Sequence, residues 1–173
     1  AAFRKVEDMV LKFAPNGVSY VGDGELARIC KIAHNVMLGV VIQNLIEITL
    51  LANKMGVPRE AFLRFMSNSV MGSMFTRYKS PALVNLDWTT TFTPELLLKD
   101  LDLGLELGRE WKVPMPTTAA TREILQGHIG NAILQKDPAA YLEKDFATLM
   151  ETMANLSGMK LESENKNVPT GLE

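Results

Sequence analysis

The run from Gly22 to Gly56, GDGELARICKIAHNVMLGVVIQNLIEITLLANKMG, decides the fold. Glycines stand at its start, Gly56 closes it, no proline interrupts it, and beyond the opening Gly39 is its single internal glycine. As one helix it would reach about 50 Å at roughly 1.5 Å per residue. Its stretch Val36-Met37-Leu38-Gly39-Val40-Val41-Ile42 is apolar all round. A helix apolar on every face is expected to be covered on every face. The other helices, or a second copy of the chain, should therefore wrap it. The fold class that follows is all-α, a helical bundle around one long central helix.

Polar residues gather at the front of this helix. Lys31 and Asn35 are four apart and share a face, and Arg28 and His34 each stand three from Lys31. A helical lysine is most often a solvated surface group. This one precedes an apolar run, where desolvation would make its amine usable as an acid or base.

On either side, the pattern is mostly helical. Residues 2–13 read as an amphipathic helix with Phe3, Val6, Met9, Val10 and Phe13 on one face. Pro15-Asn16-Gly17 reads as a turn and Val18–Val21 as a short strand. After Gly56, Pro58 suits the first position of a short helix over 59–67. Residues 74–85 read as a helical stretch stopped by Pro81, and 87–93 as an extended loop. Thr93 is a good N-cap, Pro94 a good first residue and Glu95 a good dipole partner for a helix to Trp111. In it Lys99, Asp102, Glu106 and Arg109 make a polar stripe, while Gly104 and Gly108 allow another helix close. Thr117 or Thr118 should cap a helix to about Leu134, and a last helix should run from Pro138 to Leu156. Residues 157–173 read as a mobile polar tail.

Composition narrows the function. The chain has 173 residues, one domain's worth, and 47% are apolar, enough for a core. Eighteen basic and twenty acidic residues are well mixed at net charge −2, so neither nucleic acid nor an anionic membrane is an expected partner. The uncharged stretch Ile32–Ile46 contains His34, Asn35, Gln43 and Asn44 and reads as too short and polar for a membrane span. A single cysteine, Cys30, excludes an internal disulfide, and with no signal peptide read at the N-terminus a cytoplasmic location is expected. One Cys and two distant histidines suggest no metal site.

The residues Gly22, Lys31 and Asn35 then fit a larger register. The segment resembles the Gly-x-x-Gly-x-Gly-x-x-x-Lys-x-x-x-Asn stretch of the β-hydroxyacid dehydrogenases. That family includes 3-hydroxyisobutyrate dehydrogenase, tartronate semialdehyde reductase and, more distantly, 6-phosphogluconate dehydrogenase. Glu25 and Ala27 stand where its second and third glycines belong. Downstream, Phe92-Thr93-Pro94-Glu95-Leu96-Leu97-Leu98-Lys99-Asp100-Leu101 resembles the family's Phe-x-x-x-Leu-x-x-Lys-Asp-Leu segment, and the Val113-Pro114-Met115-Pro116 turn also fits. The resemblance covers residues 2 to about 130.

It implies a fold like the 6-phosphogluconate dehydrogenase C-terminal domain and a hydride transfer between NAD or NADP and a β-hydroxy acid or its semialdehyde. Lys31 would be the catalytic acid/base. Asn35 and Gly22 would bind substrate, and Lys99 and Phe92 would contact the cofactor. The family's Gly-x-Gly-x-x-Gly turn, which grips the pyrophosphate, does not follow a strand in this sequence. The expected organisation is therefore the end of a Rossmann domain in 1–21, a helical substrate and dimerisation domain in 22–156, and the tail. The cofactor would be held mainly by a domain outside this chain, and a homodimer is implied. Two other readings compete: a non-catalytic helical dimerisation module, and an imine-reductase-like enzyme, against which Lys31 argues.

Overall fold

The computed structural model describes residues 2–14 and 16–172. Its elements are α1 (Ala2–Leu11), α2 (Leu26–Lys54), α3 (Arg59–Asn68), α4 (Met74–Asn85), α5 (Pro94–Glu110), α6 (Pro116–Asn131), α7 (Pro138–Leu142) and α8 (Leu149–Leu156), with short 3-10 turns at Ala132–Leu134 and Phe146–Thr148. No strand occurs among the described residues, so the fold is all-α. Residues 18–21, read as a strand, are irregular: no second strand is present among the described residues to take their backbone hydrogen bonds. Pro15, read as part of a turn, lies outside the described residues.

Helix α2 is the axis, and α3, α5, α6 and α8 pack around it. Ile42, Leu45, Ile46 and Leu50 on α2 meet Leu63, Leu83, Leu97, Leu101, Leu125 and Met150 in one buried core. Each fully buried aliphatic side chain there contributes about 1.5–3 kcal/mol. Small residues set the distance to α5. A Cβ at Gly39 would stand 2.9 Å from Leu101, and one at Gly104 would overlap Val36. Gly108 instead lets the chain fold back on Val113 and Met115.

The expected cover of α2 on all sides is not met within this chain. Met37 is 68% exposed and Ile29 41%, both on the flank that α5 leaves open. By length and composition α2 is apolar enough to cross a membrane, contrary to the reading from Ile32–Ile46. Its buried face is nevertheless the centre of this bundle.

Three further elements depart from the sequence reading. Pro81 lies inside α4 and does not stop it. Ser73 and Thr76 form a reciprocal capping box at its start, and Leu83 and Val84 are buried beyond the proline, so capping and packing outweigh one lost backbone bond. Helix α6 opens on Pro116 with Met115 before it, and no threonine caps it. The last helix is broken between Leu142 and Leu149. Asp145, 1% exposed, occupies the break. It takes two hydrogen bonds from Lys79 Nζ at 2.8 Å, one from the Thr91 backbone at 3.0 Å and one from Thr91 Oγ1 at 2.7 Å. Its other duty is to cap Ala147 N at 3.0 Å. Lys79, 2% exposed, also lies 4.3 Å from the centre of the Phe146 ring.

The stretch expected as a mobile tail is laid along α3 and α4. Glu164 accepts the Arg59 and Glu60 backbone N–H groups at 2.7 and 3.0 Å, capping α3. The Arg59 guanidinium donates to the carbonyls of Leu83, Val84 and Glu162. Leu161 and Val168 pack on the core.

His128 is wholly buried between Thr152, 2.7 Å from Nδ1, and Thr148, 3.1 Å from Nε2. Burial disfavours the charged ring and holds its pKa down to about 4, from an ordinary 6.5. Between those values the unfolded chain binds a proton that the folded chain refuses, so stability rises with pH there. The contribution is complete above pH 6.5 and is lost as pH falls towards 4. Its size is about 3 kcal/mol, because each pH step of one between the two values is worth roughly 1.4 kcal/mol. Urea midpoints measured from pH 7 to pH 4 should fall, and should fall less steeply in His128→Leu.

Candidate active site

The two segments singled out in the sequence meet where α2 crosses α5. Gly22 and Gly24, with φ of +116° and +69°, make the left-handed turns that bring the chain into α2. A Cβ at Gly22 would stand 2.5 Å from Leu26, the first residue of the helix. One and a half turns later Lys31 emerges, solvent-exposed, and a further turn brings half-buried Asn35.

Asn35 is the centre of the network. Lys31 Nζ donates to its Oδ1 at 2.8 Å, and His34 Nδ1 lies 3.0 Å from the same oxygen. Its Nδ2 donates to Asp100 Oδ2 on α5. The other oxygen of Asp100 pairs with Lys99 Nζ at 3.0 Å. The amide orientation is fixed by chemistry: the lysine can only donate and the carboxylate only accept. Asp100, 7% exposed, thus holds Asn35, and Asn35 holds the lysine head.

The expected apolar surroundings of the Lys31 head are not supplied by this chain, because the head projects from the solvent side of the helix. Phe92 does not join the network either. It is half-buried, edge-on to Phe146 at 6.1 Å between ring centres. Its carbonyl accepts the Phe146 N–H at 2.9 Å, which ties it to the Lys79–Asp145 junction at the start of α5. Asp100 is the residue that sequence reasoning missed. It sits inside the quoted Lys99-Asp100-Leu101 triplet, but the surface stripe drew the reading to Asp102, which pairs instead with Arg122 of α6 at 2.8 Å.

On the other flank of α5 lies an apolar groove of about 740 Å³, lined by Ile29, Val36, Met37, Leu107, Trp111 and Val113 among others. No group of three or more His, Cys, Asp or Glu able to hold a metal occurs among the described residues.

The chain is similar to known proteins in sequence and in fold. Residues 25–156 match the family described as NAD-binding of NADP-dependent 3-hydroxyisobutyrate dehydrogenase. The chain is 29% identical to 2-(hydroxymethyl)glutarate dehydrogenase of Eubacterium barkeri, over 83% of the chain and 48% of that protein. It is 23% identical to 2-hydroxy-3-oxopropionate reductase of Escherichia coli K12, over 90% of the chain and 51% of that protein. In fold it is similar to 3-hydroxyisobutyrate dehydrogenase of Salmonella typhimurium, with a TM-score of 0.73 at 20% identity, covering 87% of the chain and 50% of that structure. The chain spans about half the length of the curated relatives it matches.

Proposed function

Because this chain belongs to the NAD-binding 3-hydroxyisobutyrate dehydrogenase family, we propose that it is the helical, acid/base-bearing half of an oxidoreductase. The enzyme moves a hydride between NAD or NADP and a β-hydroxy acid or its semialdehyde. The observation that carries this reading is the Lys31–Asn35–Asp100–Lys99 network, which joins two segments more than sixty residues apart into one site.

Oxidising an alcohol by hydride loss leaves its hydroxyl proton to be placed. Lys31 takes that proton as the hydride leaves, and returns it when the carbonyl is reduced. Asn35, held by Asp100, fixes the amine in line, and its second Nδ2 hydrogen is left for substrate oxygen, a positioning effect. Lys99, with Phe92 at the head of the same helix, forms this chain's share of the cofactor side. NAD or NADP supplies the hydride acceptor when bound, and its pyrophosphate is gripped outside this chain. Gly22 lets the backbone approach the substrate. The reading is tested by following reduced nicotinamide absorbance in the holoenzyme with a panel of 3-hydroxy acids. Acid-dependent cofactor reduction is expected, and its absence with both NAD and NADP rejects the assignment.

The partner proposed for the groove is a second copy of the chain. Helix α2 carries more apolar surface than its own bundle covers, and a symmetric pair is the commonest way to cover such a face. Trp111, 71% exposed, and Met37 rim the groove and would be its anchors. Trp111→Glu should shift sedimentation from dimer towards monomer at micromolar concentration. A monomeric wild-type protein would reject the pairing. The protein is proposed to act in the cytoplasm, consistent with its lone thiol, Cys30.

A further inference from the structure

We propose that the C-terminal segment 159–168 is an intramolecular ligand, a detachable strap whose Glu164 carboxylate fills an anion seat at the start of α3 and so locks the α3–α4 hairpin. The seat comes from α3 itself. The helix opens on Pro58, whose side chain makes no capping hydrogen bond. The backbone N–H groups of Arg59 and Glu60 therefore face an end that favours negative charge. Glu164 meets them with both oxygens, Oε1 at 2.7 Å from the Arg59 nitrogen and Oε2 at 3.0 Å from the Glu60 nitrogen. A carboxylate already seated on both donors, rather than the bare helix end, carries the argument. Arg59 is itself buried beside it. Burial lowers the guanidinium pKa, and the charge of Glu164 partly offsets that.

The other anchors of the strap lie close by. Arg59 Nη2 donates to the Glu162 carbonyl, and Glu164 N donates to the Val84 carbonyl at 3.3 Å. Asn85 donates to the Lys166 carbonyl at 2.8 Å and accepts from Lys166 N at 2.9 Å. All of these partners stand at the start of α3 or the end of α4. The Arg59 guanidinium also donates to the Leu83 and Val84 carbonyls at 2.9 and 2.7 Å, so one side chain ties α3, α4 and the strap together. Residues 159–168 form neither helix nor strand, and their order is borrowed from these contacts. Leu161 and Val168 are only partly buried against the core. A segment held in this way opens at lower cost than the bundle beneath it. When it leaves, the first turn of α3 loses its acceptor. The family match covers residues 25–156, so the seat lies within the matched region and the strap beyond it. The ligand class of the seat is a carboxylate on an extended chain, which this chain supplies to itself.

The test is amide hydrogen exchange, read residue by residue in the full chain. Glu164→Ala should speed exchange at Arg59, Glu60 and Lys166 about tenfold, the share of one charge-assisted hydrogen bond. Ile42, Ile46 and Leu50 in the core of α2 should keep wild-type rates. Glu162→Ala is the charge control. Its side chain is exposed, 3.9 Å from Lys160, and its backbone carbonyl stays for Arg59, so all rates should match wild type. Sodium acetate, compared with chloride at equal ionic strength, should slow Arg59 and Glu60 in Glu164→Ala and leave them unmoved in wild type. Unchanged rates in Glu164→Ala, or the same rise in Glu162→Ala, overturn the seat. Acetate acting no better than chloride overturns its carboxylate selectivity and the proposal with it. A rise in Glu164→Ala that reaches the α2 core equally makes the segment an inseparable part of the bundle, which overturns the strap.

Discussion

Lys31→Met in the holoenzyme should lower kcat by about 10²–10⁴-fold, the usual share of general acid–base catalysis. Methionine keeps the length of the side chain and removes the proton carrier. Lys31 is exposed and its one described hydrogen bond goes to Asn35 at 2.8 Å, so its removal strands no buried charge and should barely change stability. Affinity for the cofactor should also change little if, as proposed, the pyrophosphate is gripped elsewhere. The effect should therefore appear in kcat and kcat/KM alike, with a cofactor titration close to wild type. A loss confined to KM would make Lys31 a substrate anchor only.

The second large effect is on stability. Lys79→Met should destabilise the fold by about 3–5 kcal/mol, the cost of leaving a buried charge without its partner. Lys79 and Asp145 are 2% and 1% exposed, and burial already pulls the lysine pKa down, an effect that Asp145 partly offsets. Without the ammonium, the Asp145 carboxylate keeps Thr91 and Ala147 as donors but no counter-charge. Combining Lys79→Met with Asp145→Asn removes both charges and should recover part of the loss. Denaturant unfolding of the single and double variants measures both effects, and a single variant within about 1 kcal/mol of wild type would contradict a contribution of that size from the pair.

These two residues also show what the sequence made legible. The start of α5 was readable because its signals are local: Thr93 accepts from Leu96 N, and Pro94 and Glu95 follow in the positions that helix chemistry favours. The long helix was readable for the same reason, from unbroken helix-compatible residues ending near Gly56. Lys79 gave no such signal. Its partner is Asp145, sixty-six residues on, and only the fold brings them together. The break that Asp145 makes before α8 was invisible for that reason, and Pro81 misled because its neighbours' burial outweighs its local preference.

At the site, Lys31 and Asn35 stood out by spacing on one helix face. The resemblance added Lys99 and Phe92 as cofactor contacts. The structure brings Lys99 to the network through Asp100 and leaves Phe92 against Phe146. Asp100 was missed because helical periodicity assigns a residue to a face and cannot tell which helix that face will meet. The anchoring of Asn35 from α5 is a tertiary fact.

The most direct test of the account is the turnover of Lys31→Arg beside wild type in the holoenzyme, with cofactor and hydroxy acid saturating. Arginine keeps the positive charge and can still donate to Asn35, but it stays protonated and cannot act as a base. If Lys31 carries the proton, Lys31→Arg should be slowed by about the same 10²–10⁴-fold as Lys31→Met. A kcat near wild type would contradict the acid/base role and reduce Lys31 to a fixed positive charge for the substrate.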